Sequence, residues 1–536
     1  MFFFSEHFYT IQKHKIDFNK KFQMFELKEF TTKRGEIILY SGTPDFSKLE
    51  ELAIGVGDIW HSSFEQGYKN VLPELVYQTA TFFWFLKDFD NLDVCVSWRV
   101  NPNHFAVRKS VWETLKGFDA DYSNVHMQAL DFGYNALRIS GAIPLYVKGL
   151  FESDAKEKIT ISAKDRYTFF VKNFKIDHSI FMIYREGFWK FKEWNAFFYA
   201  RKNYKKSGAK PILTPRELKP IQGNPTVSYI IPTMMRQDFT LNLLDDLSKQ
   251  HYKTKQVVIV DATPIDQRDT SLYNQTNYSF ELIVKWQETK GSCRARNEAI
   301  ALCNGDYVIF GDDDIRLPAD YVQNHISFLQ TYGAGACNGL DIRADNQNQN
   351  LDDLKHKLDN YGQGRFLSGV AQIYNNANNC VRKEYVDALV GNDVNYDGGY
   401  GEDIDYGFDL LKIGVIVLQN PYSTNLHLKP PVGGYRFWGN QAKIMGKKRK
   451  KQPWELDTPV KWIRPIPSPT LMYYYYKQFG KETVNEYRHK YFFLFIFKGA
   501  ILTMPLRFLK MPYRQLQFNK SIFYAKKLLK LGKRTK

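Results

Sequence analysis

Asp312, Asp313 and Asp314 follow one another directly after the apolar run Tyr307-Val-Ile-Phe-Gly. Three adjacent carboxylates repel one another, so a site that keeps them ionised needs a counter-charge. An all-oxygen cluster suits a hard divalent cation such as Mg²⁺ or Mn²⁺, above all beside phosphate oxygens that share the ion. Asp261 ends a second apolar run, Val257-Val-Ile-Val. Arg294 and Arg296 stand between the two runs and can offset anionic charge on a ligand. Glu402 and Asp403 form a further carboxylate pair. His427 offers an imidazole, a competent ligand for Mn²⁺ when neutral. The competing structural roles are an acidic helix start for the triplet and a packed histidine.

These side chains need a scaffold, and the pattern supplies one. Val227-Ser-Tyr-Ile-Ile-Pro reads as a short buried parallel strand. Beyond it the pattern predicts a helix over 239–250, a strand over 256–260, a strand around 280–285, a helix over 295–303 and a strand over 307–310. A later strand is expected at 415–418, with His427 after a short loop. This alternation predicts an α/β fold with an open, mainly parallel sheet whose ligand site lies at the C-terminal strand ends, where Asp261 and the triplet stand.

Five segments carry a family resemblance in a fixed order: Ile230-Ile-Pro232-Thr233, Val258-Ile-Val-Asp261, Gly291-Ser-Cys-Arg294-Ala-Arg296-Asn297, Gly305 through Asp314, and Gly401-Glu402-Asp403-Ile-Asp405-Tyr-Gly407. From about Val227 to Trp438 the chain resembles glycosyltransferase family 2, inverting enzymes of the GT-A (Rossmann-like) fold. The resemblance implies a nucleotide diphosphate sugar donor, UDP-linked by expectation, and donor contacts at Pro232, Thr233, Asp261, Gly291, Arg294, Arg296, Asn297, Asp312 and Asp313. It implies Mn²⁺ or Mg²⁺ at Asp312 and Asp314, completed by His427, and Asp403 as base, with Glu402 as the alternative. Transfer to a glycan or lipid-linked acceptor in surface polysaccharide or lipopolysaccharide assembly follows as an expectation, with a polyprenyl phosphate carrier as the second choice and a non-catalytic scaffold as the third. No Gln-x-x-Arg-Trp segment is present, which speaks against processive synthesis.

The whole chain bounds these readings. Its 536 residues suggest two or three domains. We divide them as 1–150, 151–224 (a helical segment and a Pro/Gly-rich linker), 225–455 for the catalytic domain and 456–536 for a basic, aromatic, mainly helical extension. A net charge of +17 implies an anionic partner, but no nucleic-acid module is recognisable and none is expected to bind. Five cysteines without a CxxC pair indicate neither a disulfide framework nor a thiolate zinc site. The opening Met1-Phe-Phe-Phe lacks the features of a secretory leader, so a cytoplasmic protein is expected. Basic residues gather at Lys447–Lys451 and from Lys520 onward. The apolar stretch 491–506 is too short and interrupted to span a membrane. Ile522, Ala525, Leu528 and Leu529 can share one helical face with Lys526, Lys527 and Lys530 elsewhere, which predicts peripheral contact with the inner face of the cell membrane or, alternatively, a docked terminal helix. Gly433-Gly434-Tyr435 and the basic run after them are expected to form a loop over the donor phosphates or, alternatively, a solvated charge run.

One internal repeat is visible. At a constant offset of 274 (382 − 108), Val107-Arg108-Lys109 lies over Val381-Arg382-Lys383, and Leu115, Gly117, Asp119, Tyr122, Asp131 and Gly133 over Leu389, Gly391, Asp393, Tyr396, Asp405 and Gly407. Gln128-Ala129 stand where Glu402-Asp403 stand in the other copy, and neither can act as a base. The first 150 residues are therefore expected to be a degenerate transferase-like domain without the triplet, Thr43-Pro-Asp45 serving only as a helix start.

Overall fold

The computed structural model describes residues 27–73, 87–152, 156, 158–208, 210–274, 277–435 and 451–536. The opening Met1-Phe-Phe-Phe and Lys447–Lys450 of the basic run lie outside the described residues. Backbone packing separates two compact units, one ending at Thr214 and one beginning at Pro215. The helices after Phe151 fall in the first unit and the C-terminal helices in the second.

The first unit runs β1 (Lys28–Thr31), β2 (Ile37–Ser41), α1 (Phe46–Ile54), β3 (Ile59–His61), β4 (Val94–Val96), β5 (Phe105–Arg108), α2 (Lys109–Leu115), α3 (Val125–Asn135) and β6 (Pro144–Val147). Three helices follow, α4 (Ala163–Asn173), α5 (Ile176–Glu186) and α6 (Phe191–Asn203). Its sheet has the order β1-β2-β5-β3-β6-β4. Trp112, Phe105, Phe132 and Ile59 form the core under α2 and α3.

The second unit begins with β7 (Val227–Thr233), α7 (Gln237–Ser248), β8 (Gln256–Asp261), β9 (Glu281–Trp286), α8 (Ser292–Ile300), β10 (Tyr307–Gly311), β11 (Ile315–Arg316) and α9 (Tyr321–Tyr332). It continues with β12 (Ala336–Arg343), α10 (Leu351–Tyr361), β13 (Asn378–Arg382), α11 (Lys383–Leu389), α12 (Glu402–Lys412) and β14 (Val417–His427). The chain described closes with α13 (Pro469–Phe497), α14 (Met504–Leu509) and α15 (Met511–Leu531). The sheet order is β11-β14-β12-β13-β10-β7-β8-β9. Strands β9, β8, β7 and β10 are mutually parallel, and β13 runs against β10 and β12. Every residue of β7 and β8 is buried, as strands covered by helices on both faces require.

The expected helices and strands of this unit are present with shifted ends. Helix α8 starts at Ser292 rather than Ala295 because the Asp397 carboxylate accepts from the Cys293 N–H at 2.8 Å and so caps its first turn. A larger difference concerns His427. No loop precedes it: β14 runs unbroken for eleven residues and ends on it. Pairing explains the length, since β14 stays parallel to β12 as far as the Arg343–His427 pair and meets β11 at Ile315.

The repeat is visible in topology. Strands β2-β5-β3-β6 have the neighbours and directions of β10-β13-β12-β14. Lys116 and Val390 end α2 and α11 in the same left-handed conformation. In register, Arg108 faces Ile38 as Arg382 faces Tyr307, which puts Thr43 and Asp45 where Asp312 and Asp314 stand. Asp45 caps α1, accepting from Ser47 and Lys48. On the outer side of β2 lies the antiparallel β1, where the second unit has the parallel β7.

Candidate active site

The C-terminal ends of β7, β8 and β10, together with the end of β14, bring the chemistry together. Because Ile315 pairs with His427, the imidazole lies beside Asp314, 3.2 Å from Nε2 to Oδ1. Ligand atoms of Asp312, Asp314 and His427 all fall within 4.8 Å of one another. The two hard carboxylates suit Mn²⁺ or Mg²⁺, and the imidazole favours Mn²⁺ of the two. Asp341, on β12, lies 3.1 Å from His427 Nδ1. It fixes the ring so that Nε2 faces Asp314, the usual outer support of a metal-binding histidine. Burial opposes charge on this ring, but hydrogen bonds to Asp314 and Asp341 win and push its pKa up to about 10.

The triplet does not act as three equivalent ligands. Asp313 is buried, accepts from the Thr233 hydroxyl at 2.7 Å and pairs with Arg236 Nη1 at 3.0 Å. Burial raises its pKa to about 7, against the pull of Arg236. The same Arg236 nitrogen reaches Asp314 at 2.8 Å. Burial would raise Asp314 as well, but His427 and Arg236 together hold it below its ordinary value. Asp312 pairs with Arg296 Nη2 at 2.9 Å. Without a cation, the three carboxylates are thus compensated by two arginines and a histidine.

Arg296 is the most informative of the expected donor contacts. Its side chain is buried, and its charge is held by Asp312, Asp403 and Glu402 against the cost of burial. Its Nε and Nη1 have no hydrogen-bond partner among the described residues. Two buried, unsatisfied donors on a cation cost stability unless an anion accepts from them.

The other expected residues divide by what occupies them. Pro232 and Thr233 close β7, and the Thr233 hydroxyl serves Asp313. Asp261 is fully buried, its two oxygens accepting from the Thr263 N–H and the Tyr273 hydroxyl at 2.8 and 2.9 Å. Gly291 is where the Asp397 carboxylate presses in: a Cβ there would lie 2.2 Å from Asp397 Oδ2. Arg294 turns to Asp397 at 3.4 Å and lines a cavity of about 720 Å³ with Trp286, Asn297 and Lys383. Asn297 is not left for a ligand. It donates to the carbonyls of Asn392 and Thr535 and accepts from the Asn392 N–H, tying the C-terminal tail to the loop before α12.

The two adjacent carboxylates of the Gly401–Gly407 segment differ in exposure. Glu402 is buried, whereas Asp403 is half-buried and accepts from Asn376 Nδ2 at 2.6 Å. Both sit in the first turn of α12, where the helix dipole favours the anion.

Arg236, Asp341 and Asn376 escaped the sequence reading. Arg236 had a signal, since it lies three residues beyond β7, at the strand end that the fold assigns to ligands. Asp341 had a weaker one, a carboxylate inside a strand. The ring of Tyr435 packs on Met234 and Ala262, and its hydroxyl lies 3.2 Å from Gln287 Oε1 and 3.5 Å from the Val260 carbonyl, over Asp261. Gly433 and Gly434, both at positive φ, press against Arg236. The rest of the expected phosphate loop, 436–450, lies outside the described residues.

Residues 228–390 match the model of glycosyl transferase family 2. The amylovoran biosynthesis glycosyltransferase AmsB of Erwinia amylovora is 33% identical over 106 residues, 19% of this chain and 35% of that protein. The putative colanic acid biosynthesis glycosyl transferase WcaA of Escherichia coli (strain K12) is 28% identical over 107 residues, 18% and 34%. The chain thus spans about a third of the length of these curated relatives. Among solved structures, the mannosyltransferase PcManGT from Pyrobaculum calidifontis, in complex with GDP-Man and Mn²⁺, is 18% identical with a TM-score of 0.33, over 58% of this chain and 89% of that one. S. aureus TarS 1–349 in complex with UDP-GlcNAc is 14% identical with a TM-score of 0.34, over 56% and 81%. Strand order and the family match, rather than these low TM-scores, carry the assignment: residues 228–390 form a glycosyl transferase family 2 domain, of the GT-A-type α/β fold.

Proposed function

We propose that the second unit is a metal-dependent, inverting glycosyltransferase that moves a sugar from a nucleotide diphosphate donor, UDP-linked, to an acceptor hydroxyl in surface polysaccharide synthesis. The observation that carries this reading is the convergence of Asp312, Asp314 and His427 within 4.8 Å, beside the two Arg296 donors that have no partner among the described residues.

Mn²⁺ or Mg²⁺ held by Asp312, Asp314 and His427 would supply Lewis-acid stabilisation of charge on the leaving diphosphate. The protein's own residues do the remainder. Arg296 donates to diphosphate oxygens from a dry position, where a charged hydrogen bond is strongest. Arg236, held at the strand ends by Asp313 and Asp314, supplies a second positive charge. Asp403 takes the proton from the acceptor hydroxyl as that oxygen attacks the anomeric carbon from the face opposite the nucleotide. Its half-exposed position suits it to the task, and Glu402, buried in the same turn, supports Arg296 electrostatically.

The first unit is a degenerate transferase-like domain on this reading. It keeps the four strands of the acceptor side, but Ala129 replaces the base, Thr43 and Asp45 replace the metal carboxylates, and β1 lies where the nucleotide-binding strands begin. Among its described residues there is no donor machinery of the kind found in the second unit.

Thermal unfolding with UDP and Mn²⁺ tests the donor site. Ligand at about a hundred times its dissociation constant should stabilise the folded state by roughly 2.7 kcal/mol. The shift should require the metal and disappear in Asp312→Ala/Asp314→Ala. Absence of a shift with UDP, GDP or CDP in the wild type would leave the site without a donor and sink the proposal. Tyr435→Ala should increase the shift, because the ring that a base must displace from above Asp261 is gone. A smaller shift would make Tyr435 a stacking platform instead.

A further inference from the structure

We propose that the elbow between α13 and α15 is a docking surface for an anionic lipid bilayer. The terminal helix expected to make such contact does not offer its apolar face. Ala525 and Leu528 of α15 are buried, Tyr524 packs edge-on against Trp454, and Lys527 pairs with Asp457 at 3.0 Å. The exposed apolar surface lies before it. Ile501 is 82% exposed, Leu502 92% and Leu509 78%, and Leu506 and Leu516 are exposed beside them.

The elbow has a defined conformation. The chain bends by 111° between Pro469–Phe497 and Ile501–Leu509, and Gly499 takes the turn at a φ of +123°. Arg507 closes it, donating from Nη2 to the Ala500 carbonyl at 2.6 Å and from Nη1 to the Lys498 carbonyl. Among the described residues no single helix is long and apolar enough to cross a membrane, and the two arms pass that test only together, across the bend. A leucine-rich tip on a bent pair suits insertion at the headgroup boundary.

Charge selects the partner. From Tyr487 to Lys536 there is no Asp or Glu, and thirteen residues are Lys or Arg. Lys498, Lys510 and Arg514 lie on the elbow itself. A nucleic acid would answer the charge and leave Ile501, Leu502 and Leu509 in water. An apolar protein surface would answer the leucines and leave the cations unmatched. Anionic lipid answers both, through buried apolar area and electrostatic attraction to its headgroups.

The test is co-sedimentation of the full chain with vesicles, without donor or metal, so that it reads independently of any transferase assay. Phosphatidylcholine vesicles containing about one third phosphatidylglycerol should bind the wild type, and vesicles of phosphatidylcholine alone should bind it far less. Ile501→Ser/Leu502→Ser/Leu506→Ser/Leu509→Ser should weaken partition into the anionic vesicles about tenfold or more. Lys498→Gln/Lys510→Gln, which leaves the leucines in place, should weaken it and reduce its dependence on salt. The proposal is overturned if the wild type ignores anionic vesicles, or if the four-serine variant binds as well as the wild type. It is also overturned if the wild type is a soluble dimer that the four-serine variant converts to monomer, since the elbow would then face a second copy of the chain.

Discussion

Asp403→Asn is expected to lower kcat by about 10²- to 10⁴-fold, which corresponds to roughly 3–5 kcal/mol on the barrier. The amide keeps the shape of the carboxylate, and its oxygen can still accept the hydrogen bond from Asn376. What it loses is the capacity to accept the acceptor's proton. Donor and metal contacts lie on other elements, so the thermal shift with UDP and Mn²⁺ should persist in this variant. Loss of turnover with retained donor binding is the signature of a group that acts in the transition state alone. Glu402→Gln should cost less. If Glu402→Gln proves the more damaging of the two, the base is Glu402 and the reading of exposure is wrong.

The largest effect on stability is expected from Lys477→Met. Lys477 Nζ lies 2.5 Å from Asp405, 3.2 Å from Asp393 and 3.7 Å from Asp409. Asp393 and Asp405 are buried. Removing the cation leaves carboxylates in a low dielectric, which costs about 3–5 kcal/mol. Burial already raises the Asp405 pKa to about 6, with Lys477 opposing the rise. A carboxylate whose folded pKa lies above its unfolded value binds more protons when folded, so stability is lost as pH rises through the folded pKa. Without Lys477 that pKa is higher still. The deficit of Lys477→Met against the wild type, read from the denaturant midpoint of the second unit, should therefore be largest near pH 8 and shrink as the pH falls towards 5. A deficit that does not change with pH would mean that packing, not charge, is what Lys477 supplies.

The first unit contains its own control. Lys172 pairs with Asp119 and with Asp121, and Asp121 is about half exposed. Lys172→Met should cost roughly 1 kcal/mol or less, because water can take over part of the solvation. The correspondence also lengthens the repeat. Phe169, Phe170, Lys172 and Phe174 on and just after α4 match Tyr474, Tyr475, Lys477 and Phe479 on α13, at an offset of 305 (477 − 172) instead of 274. Inserted residues between β14 and α13 break the constant spacing, which is why the comparison at one offset stopped before them. Shared packing shows the match: Asp119 receives Lys172 from α4 and Asp393 receives Lys477 from α13, in each case the second α-helix after the aspartate.

The sequence by itself marked the parallel strands β7 to β10 and the carboxylates at their ends, and it offered Asp312, Asp314 and His427 as candidate ligands. Those features come from local pattern: apolar runs that end in acids, glycines at close approaches, and motifs whose order follows the chain. The antiparallel pairings of β13 and β11 make the sheet mixed rather than mainly parallel. The sequence could not determine how each carboxylate is used, because that depends on partners brought from afar. Arg236 reaches Asp313 and Asp314 across the strand ends, Asp341 reaches His427 through the pairing of β12 with β14, and Asn297 is consumed by the loop before α12 and by the C-terminal tail. The same distinction separates the two apolar surfaces of the last helices. Helical spacing marks Ala525 and Leu528 as one face, but only the packing of α15 on its neighbours decides that this face is buried while Ile501, Leu502 and Leu509 remain in water. Periodicity records which residues share a side, and burial is decided by what lies opposite.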